Sequence, residues 1–334
     1  MQFLLTGGSG FIGSNLAKLL VSRGHAVRAL VRRTSIRSEL EKAGASFAVG
    51  DLNSGDGLPE ALEGVDAVLH LAGVTKARTE EEYFLCNGEG TRRLAEAIAR
   101  MPDPARLVHC SSLSAAGPTT VGRPLREEDE PRPISVYGRS KLAGELAVRQ
   151  YADRVPSVIV RPPLVYGPAD KEFLPSLLPM ARFGLYLKSG TGPKRYSLIH
   201  VDDLCEGLIA AAMKGKTLQS GVPGQGLYFV TDGRDEYSWE EVCDELGRAW
   251  GRERSVVVPL PDVVGYAAGL GSELVSRVRG TVPILNRDKA AEMRAEAWTC
   301  ASDRARQELD YAPKVPLAEG LKMTLEWYRQ EGWV

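Results

Sequence analysis

Apolar and polar residues follow two rhythms along the first half of the chain. Phe3–Thr6 is a short apolar run that suits a buried strand. Phe11–Ser22, FIGSNLAKLLVS, then sets Phe11, Ile12, Leu16, Leu19 and Leu20 at helical spacing. Gly24 stops that helix, and His25–Arg32, HAVRALVR, returns to a strand. The series continues with a polar helix, the strands SFAVGDL and DAVLHLAG, a long helix near Glu80–Arg100 and the strand RLVHCSS. A helix over Tyr137–Tyr151 and a strand opening SVIVRPPLVYGP complete it. Apolar strands alternating with amphipathic helices predict parallel strands joined by right-handed crossovers, hence a sheet covered on both faces.

Beyond Pro168 the rhythm changes. Prolines, glycines and shorter helices dominate, with a return to strand at GLYFVTDG. The expected fold class is α/β: a Rossmann-type doubly wound parallel sheet with helices on both faces and a smaller mixed C-terminal substrate-binding region. Residues 1–168, with return segments near 198–214 and 226–233, form the dinucleotide-type domain. Residues 169–197 and 234–334 form the substrate-binding region, laid over the carboxyl edge of the sheet, where open α/β folds take their ligands. A length of 334 residues fits one large α/β unit with an appended part.

Charge and composition narrow the function classes. A net charge of −1 gives no reason, from bulk electrostatics, to expect nucleic acid or a membrane surface as a partner. No apolar run approaches the ~20 residues of a membrane span, and no basic-then-apolar leader opens the chain. Cys86, Cys110, Cys205, Cys243 and Cys300 are scattered and lack metal spacing, so no metal is expected and a reducing cytoplasm fits best.

Gly7, Gly10 and Gly13, in TGGSGFIG, stand between the first strand and the first helix. In that setting glycines permit the tight turn, the approach of a pyrophosphate to the backbone, and close helix–strand packing. The helix N-terminus offers its unpaired N–H groups and partial positive charge to the anion. A plain strand–helix turn is the bland alternative, and the strand before and amphipathic helix after weigh against it. The second strand ends Ala29-Leu-Val-Arg-Arg33, with no acid for a ribose 2′-hydroxyl. Arg32 and Arg33 either fork onto a 2′-phosphate or are solvated charges at a helix start. NADP(H) is therefore favoured over NAD(H). Asp51-Leu52 either closes over the adenine or caps a helix.

Tyr137-Gly-Arg-Ser-Lys141 puts a phenol and an ammonium four residues apart on one helix face. A cation beside a phenol lowers its pKa and lets it exchange a proton near neutrality, as hydride transfer at a carbinol requires. Ser111 and Ser112 end a strand upstream, where a hydroxyl can hold the substrate oxygen.

In order, TGGSGFIG, GDL, HLAG, NGEGTRRL, SSLSAAGP, YGRSK, RPPLVYGP and IHVDDL resemble the extended short-chain dehydrogenase/reductase family across essentially the whole chain. That family includes nucleotide-sugar epimerases and dehydratases, 3β-hydroxysteroid dehydrogenases and dihydroflavonol-type reductases. The resemblance implies that Ser112 is the catalytic serine, Tyr137 the acid/base, and Lys141 its partner and a ribose ligand. It implies that Leu71, Ala72 and Gly73 line the cofactor along with Phe11, Ile12 and Ser111, and that Pro162 and Val165 flank the nicotinamide end. Asn87 matches an asparagine that helps hold the strand ends, with a helix cap as the alternative. Arg32 matches the arginine that dihydroflavonol-type reductases use for the 2′-phosphate. Tyr166 and Arg195 are substrate-side candidates, Arg195 because sugar-nucleotide enzymes often keep an arginine there for the diphosphate. Leu113 and Ser114 follow the serine where sugar dehydratases carry Asp-Glu, so dehydration is not expected.

The residues 261–285, PDVVGYAAGLGSELVSRVRGTVPIL, read as a helix packed on its own domain, an apolar lid, or a surface touching a membrane or partner chain. The leading function is hydride transfer between NADP(H) and a secondary alcohol or ketone, a small and sterol-like or otherwise apolar substrate. A nucleotide-sugar epimerase with bound cofactor is the alternative. Dinucleotide sensing without turnover is a third, opposed by the intact serine, tyrosine and lysine. The family resemblance also implies a homodimer through the Glu80–Arg100 and Tyr137–Tyr151 helices.

Overall fold

The computed structural model describes residues 1–261 and 287–334; all but the first residue of the 261–285 segment lies outside them. The first six strands are β1 (Gln2–Thr6), β2 (Ala26–Val31), β3 (Ser46–Val49), β4 (Ala67–His70), β5 (Arg106–Cys110) and β6 (Ser157–Arg161). They lie in the order β3-β2-β1-β4-β5-β6, with Leu227–Phe229 beyond β6, and every neighbouring pair is parallel. The chain leaves β1 toward β2 on one side and reaches β4 on the other. The carboxyl ends of β1 and β4 therefore form the crevice in which this fold takes its ligands.

Two apolar layers cover the sheet. One face packs against α1 (Phe11–Ser22) and the helix Val201–Lys214 through residues such as Leu16, Leu20, Leu204 and Leu208. The other packs against Leu94, Ile98 and Val148 of the helices Gly90–Ala99 and Val136–Gln150. A third cluster, with Tyr166, Tyr186, Leu246, Leu321 and Tyr328, is the core of the C-terminal region. The segment after β6 thus leaves the main sheet, whereas Val201–Lys214 and Leu227–Phe229 come back to it.

The long helix expected over Glu80–Arg100 is broken. Glu80–Tyr83 is α-helical, Phe84–Glu89 forms a wider π-turn, and Gly90–Ala99 resumes the α-helix. The extra residue lets the Asn87 side chain face inward, where it replaces missing backbone partners of a neighbouring loop. Among the described residues no helix is long and apolar enough to cross a membrane.

Candidate active site

The glycine turn is built by contact as much as by conformation. Gly7 has φ +71°, and a Cβ there would lie 2.6 Å from the Ala72 nitrogen. A Cβ on Gly13 would lie 2.3 Å from the Gly7 carbonyl oxygen. Larger residues would force α1 away from β1. Gly10 is different: it is exposed and meets only the Gly7 carbonyl. It caps α1 without a side-chain hydrogen bond, and no acid stands in the first turn. The positive end of α1 is left uncompensated by the protein, which suits a phosphate. Phe11 and Ile12 are half-buried at this end.

Arg32 and Arg33 follow β2 and are exposed, and neither forms an ion pair among the described residues. Asp51 accepts a 2.8 Å hydrogen bond from the Asn53 amide, fixing a turn in which Leu52 abuts Gly90. The loop Leu71–Gly73 is tied to β1 by the Ala72 amide, which donates to Thr6 Oγ1 at 3.2 Å.

Beneath this loop runs a buried polar chain. Thr6 Oγ1 and Thr91 Oγ1 lie 2.7 and 2.9 Å from Nδ1 and Nε2 of His70. Thr91 spends its proton on the Asn87 carbonyl, so it accepts from Nε2–H, and Thr6 donates to Nδ1. His70 is thereby held neutral, its pKa pushed down to about 3 by burial and by the nearby Lys141. His109 stacks on it at 5.1 Å and is held low for the same reasons. Asn87 accepts from the Val74 amide at 2.8 Å and donates to the Val74 carbonyl and to Ser140 Oγ at 3.0 and 2.9 Å. Of its two readings, the strand-end tie describes these contacts.

Tyr137, Ser140 and Lys141 lie on the first turns of Val136–Gln150. That helix sits close to the π-turn because Gly144 has no side chain; a Cβ there would lie 2.4 Å from the Asn87 carbonyl oxygen. Lys141 is buried and donates to the Cys110 carbonyl at 2.8 Å. Burial lowers its pKa. The Tyr137 phenol is pushed above its ordinary value by burial, and the hydrogen bond with the Ser112 hydroxyl offsets part of that. The lowering expected from Lys141 is not what the protein's own groups produce. The ammonium is engaged by the Cys110 carbonyl, and burial of the phenol works against its ionisation.

The two strand-end serines part company. Ser112 is half-buried and accepts from the Ser114 amide at 3.1 Å, next to the phenol. Ser111 is buried and donates to Glu145, turned into the interior rather than toward the cleft as expected. Glu145 also accepts two bonds from Arg161, at 2.8 and 2.6 Å, and both side chains are almost wholly buried. Pro162 follows Arg161 and accepts from the Leu113 amide at 2.8 Å. Val165 pairs with Ile199 in a short parallel ladder beside the sheet.

One substrate-side expectation falls elsewhere. Tyr166 is fully buried in the third core, edge-on to His200 at 5.4 Å, because it packs beneath Gly320 of the last helix. Arg195 sits on the short strand Arg195–Tyr196 and pairs with Glu236 at 3.6 Å.

Three acids that the pattern did not single out stand at the mouth. Asp288, on the helix Arg287–Arg294, accepts from the Val136 amide at 2.6 Å. Glu292, one turn on, accepts from Ser135 Oγ at 2.7 Å and pairs with Lys289. Glu172 accepts from Thr75 Oγ1 at 2.9 Å. The charges of Glu292 and Glu172 add to the upward push on Tyr137. A short-range motif search has no means of finding these residues, since each forms its hydrogen bond across more than 90 positions.

The parallel sheet with helices on both faces agrees with the comparisons. Residues 3–222 match the model described as the NAD dependent epimerase/dehydratase family. The chain belongs to this family, among the extended short-chain dehydrogenase/reductases. It is accordingly an NAD(P)-dependent dehydrogenase/reductase or epimerase. The ceramide reductase of Caulobacter vibrioides is 32% identical, over 99% of this chain and 95% of that protein. The 4-hydroxy-2-methyl-3-oxo-4-farnesyl-3,4-dihydroquinoline-1-oxide ketoreductase of Stigmatella aurantiaca is also 32% identical, over 96% of this chain and 95% of its own. The crystal structure of gox2253 superposes with a TM-score of 0.79 at 30% identity, covering 99% of this chain and 98% of that one.

Proposed function

We propose that this family member is an NADP(H)-dependent reductase of a ketone carried on a long apolar substrate. The observation that carries the reading is the joint placement of Tyr137, Lys141 and Ser112. A phenol hydrogen-bonded to a hydroxyl and a buried ammonium share one face of a helix at the sheet's carboxyl edge. A bound nicotinamide dinucleotide supplies the hydride, for which no amino-acid side chain is a source. The open N-terminus of α1 receives its diphosphate, Leu71–Gly73 the adjoining ribose, and exposed Arg32 and Arg33 the 2′-phosphate.

Ser112 Oγ donates to the carbonyl oxygen and polarises it. As negative charge grows on that oxygen, the Tyr137 hydroxyl gives its proton, completing the alcohol. A phenol held above its ordinary pKa is protonated at neutral pH, which suits the reductive direction. Lys141 places positive charge near the phenolate left behind and holds a ribose hydroxyl. The class of substrate is supported by the names of the two relatives, a ceramide reductase and a ketoreductase of a farnesyl-bearing dihydroquinoline oxide.

The purified chain, given NADPH and a panel of long-chain ketones, is expected to form one alcohol per NADPH consumed. Tyr137→Phe is expected to lower the rate by about 10²–10⁴-fold. Replacing Arg32 and Arg33 by glutamine is expected to weaken NADPH by about tenfold or more and leave NADH unchanged. Epimerisation of a nucleotide sugar without net NADPH consumption, and no ketone turned over, would replace this reading with that of an epimerase, which the family's description also admits.

A further inference from the structure

The C-terminal region carries a sheet face that breaks the usual alternation. Leu185–Ser189 pairs in parallel with Val256–Leu260, Leu185 opposite Val256 and Leu187 opposite Val258. The inner side of this two-stranded sheet brings Tyr186 and Val257 to the third core. A half-buried sheet normally turns polar residues outward. Here Leu185, Leu187, Val256 and Val258 point outward, 47, 46, 57 and 37% exposed. Phe183, just before the first strand, is 74% exposed.

Basic groups gather at one end of this face. The Arg182 guanidinium lies 5.9 Å from the Phe183 ring centre. Arg252 donates to the Arg182 carbonyl, and the Val256 amide donates to the Gly184 carbonyl, which brings Arg252 and Arg254 alongside. None of these three arginines pairs with a carboxylate among the described residues, and Glu253 stands between Arg252 and Arg254.

We propose that this face docks on an anionic phospholipid bilayer. Phe183 and the four aliphatic side chains enter the headgroup boundary, and Arg182, Arg252 and Arg254 meet lipid phosphates. An apolar face with a cationic rim has the chemistry of an interfacial membrane anchor. A second copy of the chain fits less well. The five side chains offer on the order of 450 Å² of apolar surface, about half of the ~800 Å² per partner that a stable interface buries. A two-fold contact through the same patch would also bring two sets of unpaired arginines together. The inference stands on the face alone and does not depend on the substrate.

Flotation of the full chain with extruded vesicles tests it. Phosphatidylglycerol/phosphatidylethanolamine vesicles are expected to capture at least about tenfold more protein than pure phosphatidylcholine, and high salt to erase the difference. Arg252→Ser and Arg254→Ser should each weaken capture by about fivefold. Phe183→Ser should weaken it on both vesicle types, and an unchanged NADPH-induced rise in melting temperature would certify the fold. No capture by anionic vesicles, or equal capture by neutral ones, overturns the proposal. So does light scattering that finds a dimer abolished by Phe183→Ser, which would assign the face to a second copy.

Discussion

Two helix N-termini border the cleft, and they are finished in opposite ways. That of α1 has a glycine cap, no side-chain hydrogen bond and no acid in its first turn. That of Val136–Gln150 has Ser135, whose Oγ accepts from the Gly138 amide, and Asp288, which accepts from the Val136 amide. Glu292 in turn holds the Ser135 hydroxyl. The difference separates two tasks. An end left bare by the protein keeps its partial charge for a mobile anion, whereas an end capped from a distant helix fixes the side chains that follow it. The first is written in local sequence; the second joins the C-terminal region to the sheet.

The largest expected effect lies along the fixed helix. Glu145 stands two turns beyond Tyr137, and its partner Arg161 is equally buried. Glu145→Ala leaves a buried guanidinium unpaired and is expected to cost about 3–5 kcal/mol in urea unfolding. A loss below 1 kcal/mol would show that the pair does not anchor this helix.

Giving the bare end a cap should convert it to the other kind. Gly10 has φ −83° and ψ 177°, a conformation open to any residue. Gly10→Asp is expected to leave stability unchanged or raise it by about 0.5 kcal/mol while weakening NADPH by about 100-fold, since like charges meet at the phosphate site. Calorimetric titration alongside thermal melting measures both; an unaltered affinity would place the phosphates elsewhere.

His70 lies between the two ends, and its contribution depends on pH. Its folded pKa, about 3, lies below the ordinary histidine value of 6.5. The unfolded chain therefore binds the proton that the native state refuses. The stability is fully present above pH 6.5 and is lost at about 1.4 kcal/mol per pH unit as pH falls toward 3. Unfolding curves at pH 7, 6 and 5 should fall less steeply for His70→Asn than for the unmodified chain. Equal slopes would mean that His70 titrates normally.

The smallest effect belongs to the contact between regions. Asp288→Asn keeps one acceptor for the Val136 amide and removes a charge at a helix N-terminus, with a cost of about 1 kcal/mol. Hydrogen exchange should quicken at Val136–Gly138 and remain unchanged in β1 and β4. Uniform quickening across the sheet would erase the proposed distinction between the two ends.

Sequence pattern carried much of the first region. The bounds of α1 follow from its apolar spacing, and the strand series yields the parallel sheet, because period and turn chemistry are local properties. The same local view failed where partners lie far apart. It read one continuous helix where Asn87 opens a π-turn to reach Val74 and Ser140. It grouped Ser111 with Ser112, although Glu145 draws the first inward. It placed Tyr166 with the substrate, although apolar packing takes it into a core.

By itself, then, the order of residues determined the α/β class, the bare glycine turn and the spacing of phenol to ammonium, all of which depend on neighbours a few positions away. Only the tertiary structure decided how acidic that phenol is, which serine faces it, and which carboxylates of the helix Arg287–Arg294 close the turn before it. Desolvation and charge act through space, and no one-dimensional spacing encodes the distance between groups 150 residues apart.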